Sequence, residues 1–125
     1  MAGLTLDSGA LIAFERQDRT VIVHLKEALQ RGADVTVPTV VVAEAWRGGP
    51  RAARVASLLA TCRVEPLGDA LARRAGETLA RVSSGAIDAV VMASAAGRGD
   101  LVLTSDFDDL SALRACFPTV RLARI

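Results

Sequence analysis

The chain has 125 residues, 51% of them hydrophobic, and a formal net charge of +1. This length and composition predict one folded domain, residues 1–125, and exclude a disordered chain. The near-zero net charge excludes a strong overall attraction to nucleic acid, so any RNA or DNA would have to be held locally.

Cellular location is predicted from what the sequence lacks. Its apolar stretches are too short for a membrane span, and no signal peptide is visible, so we expect no membrane association. The two cysteines, Cys62 and Cys116, lie far apart in the sequence and lack the spacing of a metal site. We therefore expect reduced thiols and a cytoplasmic location.

Short apolar segments alternate along the chain with segments of helical periodicity. In chain order, the prediction is strand Leu4–Asp7, helix Ala10–Phe14, helix Thr20–Arg31, strand Asp34–Val37, a helix after Pro38 that carries Glu44 and stops at Gly48, helix Arg51–Ala60, strand Cys62–Pro66, helix Asp69–Val82, a helix capped by Ser83 or Ser84 that carries Asp88 and ends at Gly97, strand Leu101–Thr104, helix Phe107–Cys116 and strand Val120–Ala123. This alternation predicts an α/β fold, a three-layer α/β/α sandwich around a mainly parallel sheet.

Two of the predicted helices have a clear inner face. In the helix over 20–31 this face consists of Val21, Leu25, Ala28 and Leu29. In the helix over 51–60, Arg51 and Arg54 point outward and the apolar side chains inward; these are Val55, Leu58 and Leu59. Both patterns are typical of helices packed on a sheet.

Four acidic residues interrupt or end apolar segments: Asp7, Glu44, Asp88 and Asp106. A buried ionised carboxylate is costly unless it is paired or binds a metal, and Arg47 is the only base beside these segments. Ligand sites of parallel sheets lie at the carboxyl ends of strands, where Asp7 and Asp106 are expected. If all four acids gather there, their repulsion favours a hard cation such as Mg²⁺ or Mn²⁺.

Each of these acids also has an ordinary structural explanation. Asp7 and Asp106 precede helices and are equally well explained as N-caps. Glu44 could lie on a solvent-facing side of its helix, and Asp88 could stabilise a helix N-terminus. The sole histidine, His24, is expected to be a packed or surface residue, which disfavours a zinc site or a Ser-His-Asp triad.

The chemistry available to such a site is phosphodiester hydrolysis. A bound Mg²⁺ can orient and polarise a phosphodiester and lower the pKa of a water, and a spare carboxylate can accept that water's proton. With one Trp and no Tyr, base stacking cannot be the main mode of nucleic-acid binding. The sequence therefore favours contact through the nucleic-acid backbone and the metal.

Four segments, taken in order and spacing, resemble PIN-domain proteins, and more closely the VapC-type toxin ribonucleases of VapBC toxin–antitoxin pairs. They are Leu6–Ala13, Val42–Glu44, Ala86–Ala89 and Leu103–Leu110. The resemblance implies an endoribonuclease that cuts single-stranded RNA segments. It implies that Mg²⁺ or Mn²⁺ is bound by the catalytic acids Asp7, Glu44, Asp88 and Asp106. It also implies a homodimer, a small cognate antitoxin, and accessory roles for Asp109, Thr104 and Ser8.

Several alternatives stay open at this point. Arg47 and Arg51, with Arg54, could contact the RNA backbone or form a solvated helix face. Trp46 could stack on a base, although we expect it to pack in the core or at a dimer interface. A metal-dependent phosphatase or phosphotransfer domain is the second candidate, but Lys26 is not placed at a strand end as that chemistry would require. The third candidate is a catalytically silent binding module.

Overall fold

Five short parallel strands form one sheet in the computed structural model, which describes residues 2–125. The strand order is β3-β2-β1-β4-β5, and every neighbouring pair is parallel. The strands are β1 (Leu4–Leu6), β2 (Val35–Pro38), β3 (Arg63–Glu65), β4 (Leu101–Thr104) and β5 (Arg121–Arg124). The predicted α/β fold is confirmed, and the sheet is wholly parallel rather than mainly so.

Seven helices connect these strands within residues 2–125. They are α1 (Ser8–Glu15), α2 (Arg19–Arg31), α3 (Thr39–Ala45), α4 (Ala52–Leu59), α5 (Asp69–Leu79), α6 (Ala86–Arg98) and α7 (Phe107–Leu113). All the predicted elements are present, with ends shifted by a few residues. Within the described part of the chain, none of the helices combines the length and hydropathy needed to cross a bilayer.

The core lies where α6 and α1 cover the central strands. Seven consecutive residues of α6, Ala89–Ala95, are buried, and Leu4 and Leu6 of β1 are at most 1% exposed. The strand order places β1 between β2 and β4, so the residue that follows β1 stands at the middle of the sheet's carboxyl edge. That residue is Asp7.

Three local predictions were wrong. Leu29 is 58% exposed, because the buried stripe of α2 is formed by Val21, Leu25 and Ala28, and Leu29 lies about 80° round the helix from Val21. Pro38 ends β2 and occupies the N-cap of α3 instead of its first turn. Gly85, and neither serine before it, is the N-cap of α6. In α4, by contrast, Val55 and Leu58 are buried as predicted, Leu59 is half-buried, and the two arginines are exposed.

A polar network fastens α6 to the sheet. The Arg98 guanidinium donates to Asp100 Oδ2 at 2.9 Å and to Glu65 Oε2 at 3.0 Å. It also donates to the hydroxyls of Thr5 and Ser94, both at 2.9 Å. Asp100 is only 3% exposed, so its charge is compensated almost entirely by this network.

Candidate functional site

Asp7 follows β1 and caps α1. Its Oδ1 accepts a hydrogen bond from the backbone N–H of Ala10 at 2.8 Å. The side chain is buried, and its second oxygen, Oδ2, has no hydrogen-bond partner among the described residues. Burial raises the pKa of Asp7, and the negative charge of Asp106 raises it further, against the lowering effect of the Thr104 hydroxyl and the Ala10 amide. The N-cap explanation is therefore correct for Asp7, but it accounts for only one of the two carboxylate oxygens.

Asp88 is the acid on which the others converge. It lies half-buried in the first turn of α6, and its pKa is raised from 3.8 to about 6, with burial as the largest cause. The further causes of this pKa shift are the negative charges of Asp106, Asp109, Asp7 and Glu44, in decreasing order. Because such repulsion falls off with distance, these four acids lie near enough to Asp88 for their charges to act on it.

Two of these acids are more exposed than their apolar neighbours suggested. Glu44, in the last turn of α3, and Asp106, just before α7, are both exposed. Asp106 makes no side-chain capping bond; instead its backbone N–H donates to Thr104 Oγ1 at 2.8 Å. Thus Asp7 lies at the buried end of the site and these two acids at the solvent side, with the buried Thr104 supporting the loop that carries Asp106.

A close approach between Gly9 and Ser105 was missed from the sequence. A Cβ on Gly9 would overlap Ser105 Oγ and come within 2.7 Å of Ser105 Cβ and 3.3 Å of Asp7 Oδ1. Only a residue without a side chain therefore lets α1 pack against the loop after β4. The pair Ser8-Gly9 directly after the first acid was the available signal. Ser8 itself is half-buried as the first residue of α1.

The donor set fits a hard divalent cation. All the converging donors are carboxylate oxygens, one of them buried and unpartnered, and their mutual repulsion would be relieved by a cation. Within residues 2–125, however, the side chains as placed do not bring three or more metal-binding groups close around one point. An open carboxylate site is compatible with Mg²⁺, which usually keeps several waters. His24, half-buried in α2, is not among the groups that act on Asp88.

The predicted arginines follow Glu44 closely in the sequence. Arg47 and Arg51 flank the loop between α3 and α4, three and seven residues after Glu44. Both are exposed and line one cavity together with Trp46. Trp46 is 40% exposed in the single chain, so it is not a core residue.

Comparison with known proteins assigns the family. The family model described as PIN domain matches residues 4–115. The chain belongs to the PIN domain family. The match includes all four predicted acids of this PIN domain and Asp109, which lies in the first turn of α7. A search of curated protein sequences gave no match.

Solved structures with a similar fold support the same architecture. VapBC2 from Rickettsia felis, bound to a DNA fragment from its promoter, superposes with a TM-score of 0.75 at 12% identity, covering 98% of each chain. FitAB bound to an IR36 DNA fragment gives 0.70 at 19% identity, covering 97% of this chain and 94% of that one. FitAcB from Neisseria gonorrhoeae gives 0.68 at 18% identity, with 95% of both chains covered. Because these sequence identities are low, the similarity to the three structures shows only that they share the fold of this PIN domain.

Proposed function

We propose that this PIN domain is a Mg²⁺- or Mn²⁺-dependent endoribonuclease that hydrolyses RNA phosphodiester bonds, and that it is the toxin of a toxin–antitoxin pair. The observation that carries the proposal is the convergence of four negative charges on Asp88, beside the unpartnered Oδ2 of Asp7. Mutual repulsion raises the pKa of Asp88 in this region, and a bound cation would relieve that repulsion. RNA as the substrate and the toxin role are drawn from the resemblance to VapC-type ribonucleases.

Asp7, Glu44, Asp88 and Asp106 would hold the metal ion. When bound, the ion supplies orientation and polarisation of the phosphodiester and a lower pKa for water. Asp7 is fixed by its cap on α1, so it provides the rigid end of the site. A carboxylate that the ion does not fully occupy could accept the proton of the attacking water.

The N-terminus of α6 can bind a phosphate group of the substrate. Its N-cap is Gly85, which has no side chain to cap the helix, so the first-turn N–H groups of α6 lack a side-chain acceptor. Backbone N–H groups at a helix N-terminus bind phosphate oxygens. Asp88 lies in this same turn, which would place a phosphate oxygen beside the acids.

RNA cleavage by antitoxin-free protein tests the proposal. We expect cleavage of a mixed RNA pool with Mg²⁺ or Mn²⁺, none with EDTA, and none for Asp7→Asn or Asp88→Asn. Asp34→Asn is the matched control, because Asp34 is an exposed carboxylate at the amino end of β2, away from the carboxyl edge. Its cleavage rate should equal that of the wild type.

Other outcomes would contradict the proposal. Hydrolysis of small phosphate esters without RNA cleavage would favour the phosphatase alternative. Absence of any hydrolysis in folded protein shown by calorimetry to bind Mg²⁺ would favour a silent binding module. Cleavage that survives both site substitutions would place the catalytic site elsewhere.

The partners form the second part of the proposal: a homodimer, a small antitoxin and a cytoplasmic location. The fold shared with VapBC2 and FitAB supports an antitoxin, and the two unpaired thiols, Cys62 and Cys116, agree with a reducing compartment. Light scattering should give the mass of two chains, and co-expression with the product of an adjacent short reading frame should yield a stable, inactive complex.

A further inference from the structure

Four exposed arginines surround one cleft beside the acidic site. Two cavities of about 440 and 570 Å³ share Glu15, Pro50 and Arg51, so they form a single continuous depression. We call it the arginine cleft; its charged and aromatic lining consists of Glu15, Arg16, Trp46, Arg47, Arg51 and Arg54. Four positive charges against one negative make it the opposite of the neighbouring acidic region.

The walls of the arginine cleft are set by the backbone. Helix α3 ends at Trp46, and Gly48 and Gly49 both have φ near +70°, which turns the chain sharply into α4. Trp46 and Arg47 therefore lie before this turn and Arg51 after it. The opposite wall is the C-terminal end of α1, which packs against both α3 and α4.

The cleft arginines have no internal counterions. Within residues 2–125, none of the four arginines of the cleft forms a salt bridge with a carboxylate. Arg54 donates to the backbone carbonyl of Glu15 at 3.1 Å, and Arg47 to that of Trp46 at 3.0 Å. These bonds orient the guanidinium groups while leaving their charge uncompensated, which suits an anionic ligand.

The ligand chemistry follows from the position of the cleft. Arg47 comes three residues after Glu44, so one end of the cleft lies near that acid, although none of the four acids lines the cleft itself. A strand whose phosphodiester lies at the acids must place its next phosphates close by, and here arginines replace carboxylates. Single-stranded nucleic acid is held by positive grooves with aromatic side chains on which bases stack, and Trp46 supplies one such surface.

We propose that the arginine cleft binds the phosphate backbone of the RNA strand flanking the cleaved bond, with one base stacked on Trp46. This inference rests on the proposed ribonuclease function for its choice of RNA, but it concerns binding and is tested without cleavage. An acidic protein segment is the competing occupant. It would use the same charges but would not stack on Trp46.

The test uses the intrinsic fluorescence of Trp46, the only tryptophan of the chain. Asp88→Asn protein in EDTA is titrated with a short mixed-sequence single-stranded RNA. We expect quenching of Trp46, and a loss of affinity of about threefold at low salt for Arg51→Gln and for Arg16→Gln. Each substitution should also reduce the slope of log affinity against log salt by about 0.7. Arg63→Gln is the matched control, because Arg63 is an exposed arginine outside the cleft, at the amino end of β3.

Three results would overturn the inference. The first is an equal loss of RNA affinity for Arg63→Gln and Arg51→Gln, and the second is RNA binding without quenching of Trp46 fluorescence. The third is binding of poly-glutamate in place of RNA that depends on the cleft arginines. Trp46→Phe should keep most of the affinity, measured by anisotropy of labelled RNA, and Trp46→Ala should lose more. The two proposals fail separately. Cleft-dependent RNA binding without cleavage in Mg²⁺ by wild type would reject only the ribonuclease, and cleavage without cleft-dependent binding would reject only this inference.

Discussion

Asp7 accepts a hydrogen bond from the backbone N–H of Ala10 through Oδ1, at 2.8 Å, while its Oδ2 is buried without a partner. One oxygen of this carboxylate holds the start of α1, and the other is available for the cation that we propose, so the two roles can be tested separately. An asparagine can reproduce the first role, since its side-chain oxygen also caps helices, but it cannot supply the charge needed for the second.

We predict that Asp7→Asn abolishes metal-dependent cleavage and leaves the metal-free protein at least as stable as the wild type. The substitution keeps the cap and removes a charge whose burial is unfavourable. Asp7→Ala should lose the cap as well and cost about 1 kcal/mol in the free energy of unfolding. Urea denaturation in EDTA measures both. Equal destabilisation by the two variants would show that the cap contributes nothing.

The order of elements and the parallel sheet were predictable because periodicity and turn residues are local signals. The strand Leu101–Thr104 was predicted with the bounds the structure has, and the end of the helix at Arg31 was predicted correctly, where Gly32 adopts the left-handed conformation. Exposure was less predictable. Glu44 is flanked by apolar residues yet exposed, because only Val41 of α3 is fully buried and the remaining face of this short helix is open.

The pH dependence of stability should reveal the repulsion at Asp88. Its pKa is raised from 3.8 to about 6, so between about pH 4 and pH 6 the folded protein holds a proton that the unfolded chain has released. The Asp88 contribution to the stability of metal-free protein must therefore fall as pH rises through this window. We expect a change of at most about 2 kcal/mol, because the side chain is only half-buried.

The free energy of unfolding is measured in EDTA for the wild type and for Asp88→Asn, from about pH 4 to about pH 7, which covers the shift in the pKa of Asp88. The quantity of interest is the difference between the two proteins at each pH. Taking the difference removes the contribution of carboxyls that do not interact with Asp88, and leaves that of Asp88 together with its coupling to the neighbouring acids. The wild type should lose stability relative to the variant as pH rises. Mg²⁺ should reverse this trend for the wild type, because it binds the ionised carboxylates. A wild type that gains stability relative to Asp88→Asn in EDTA would refute the electrostatic account.

Gly9 should be required for the packing of α1 against the loop that carries Ser105. In Gly9→Ala the added Cβ overlaps Ser105, which must move together with the adjacent Asp106. We expect a loss of about 1–3 kcal/mol in stability and at least about a tenfold loss of cleavage. Ser105→Gly on the Gly9→Ala background should restore most of both, because it removes the overlapping atoms.

The control for this substitution is Gly76→Ala. Gly76 lies in α5 with open space at its Cβ position, so alanine should stabilise the helix by about 0.5–1 kcal/mol without affecting cleavage. A Gly9→Ala protein as stable and active as the Gly76→Ala protein would show that the contact with Ser105 is not restrictive.

The contact between Gly9 and Ser105 also shows where sequence reasoning ended. Gly9 is separated from Ser105 by most of the chain, and no periodic pattern relates them. The arginine cleft is similar, because Arg16 directly follows α1 and Arg51 directly precedes α4, and they meet only through the packing of α1 on α4. Local signals therefore predicted the acids at the ends of elements, whereas contacts between distant segments required the folded structure.

The network at Arg98 should contribute to stability and not to catalysis. Arg98→Met removes the guanidinium that bonds Asp100 and Glu65 and leaves the 3% exposed Asp100 carboxylate without a positive partner. Breaking a buried pair from one side typically costs about 3–5 kcal/mol. Urea denaturation should show a loss of about this size, and cleavage per folded molecule should stay at the wild-type value.

Arg73→Met is the control, because it breaks an exposed pair with Asp69, and it should change stability by less than about 1 kcal/mol. Similar losses for both variants would mean that the network around Arg98 adds no more than a surface ion pair.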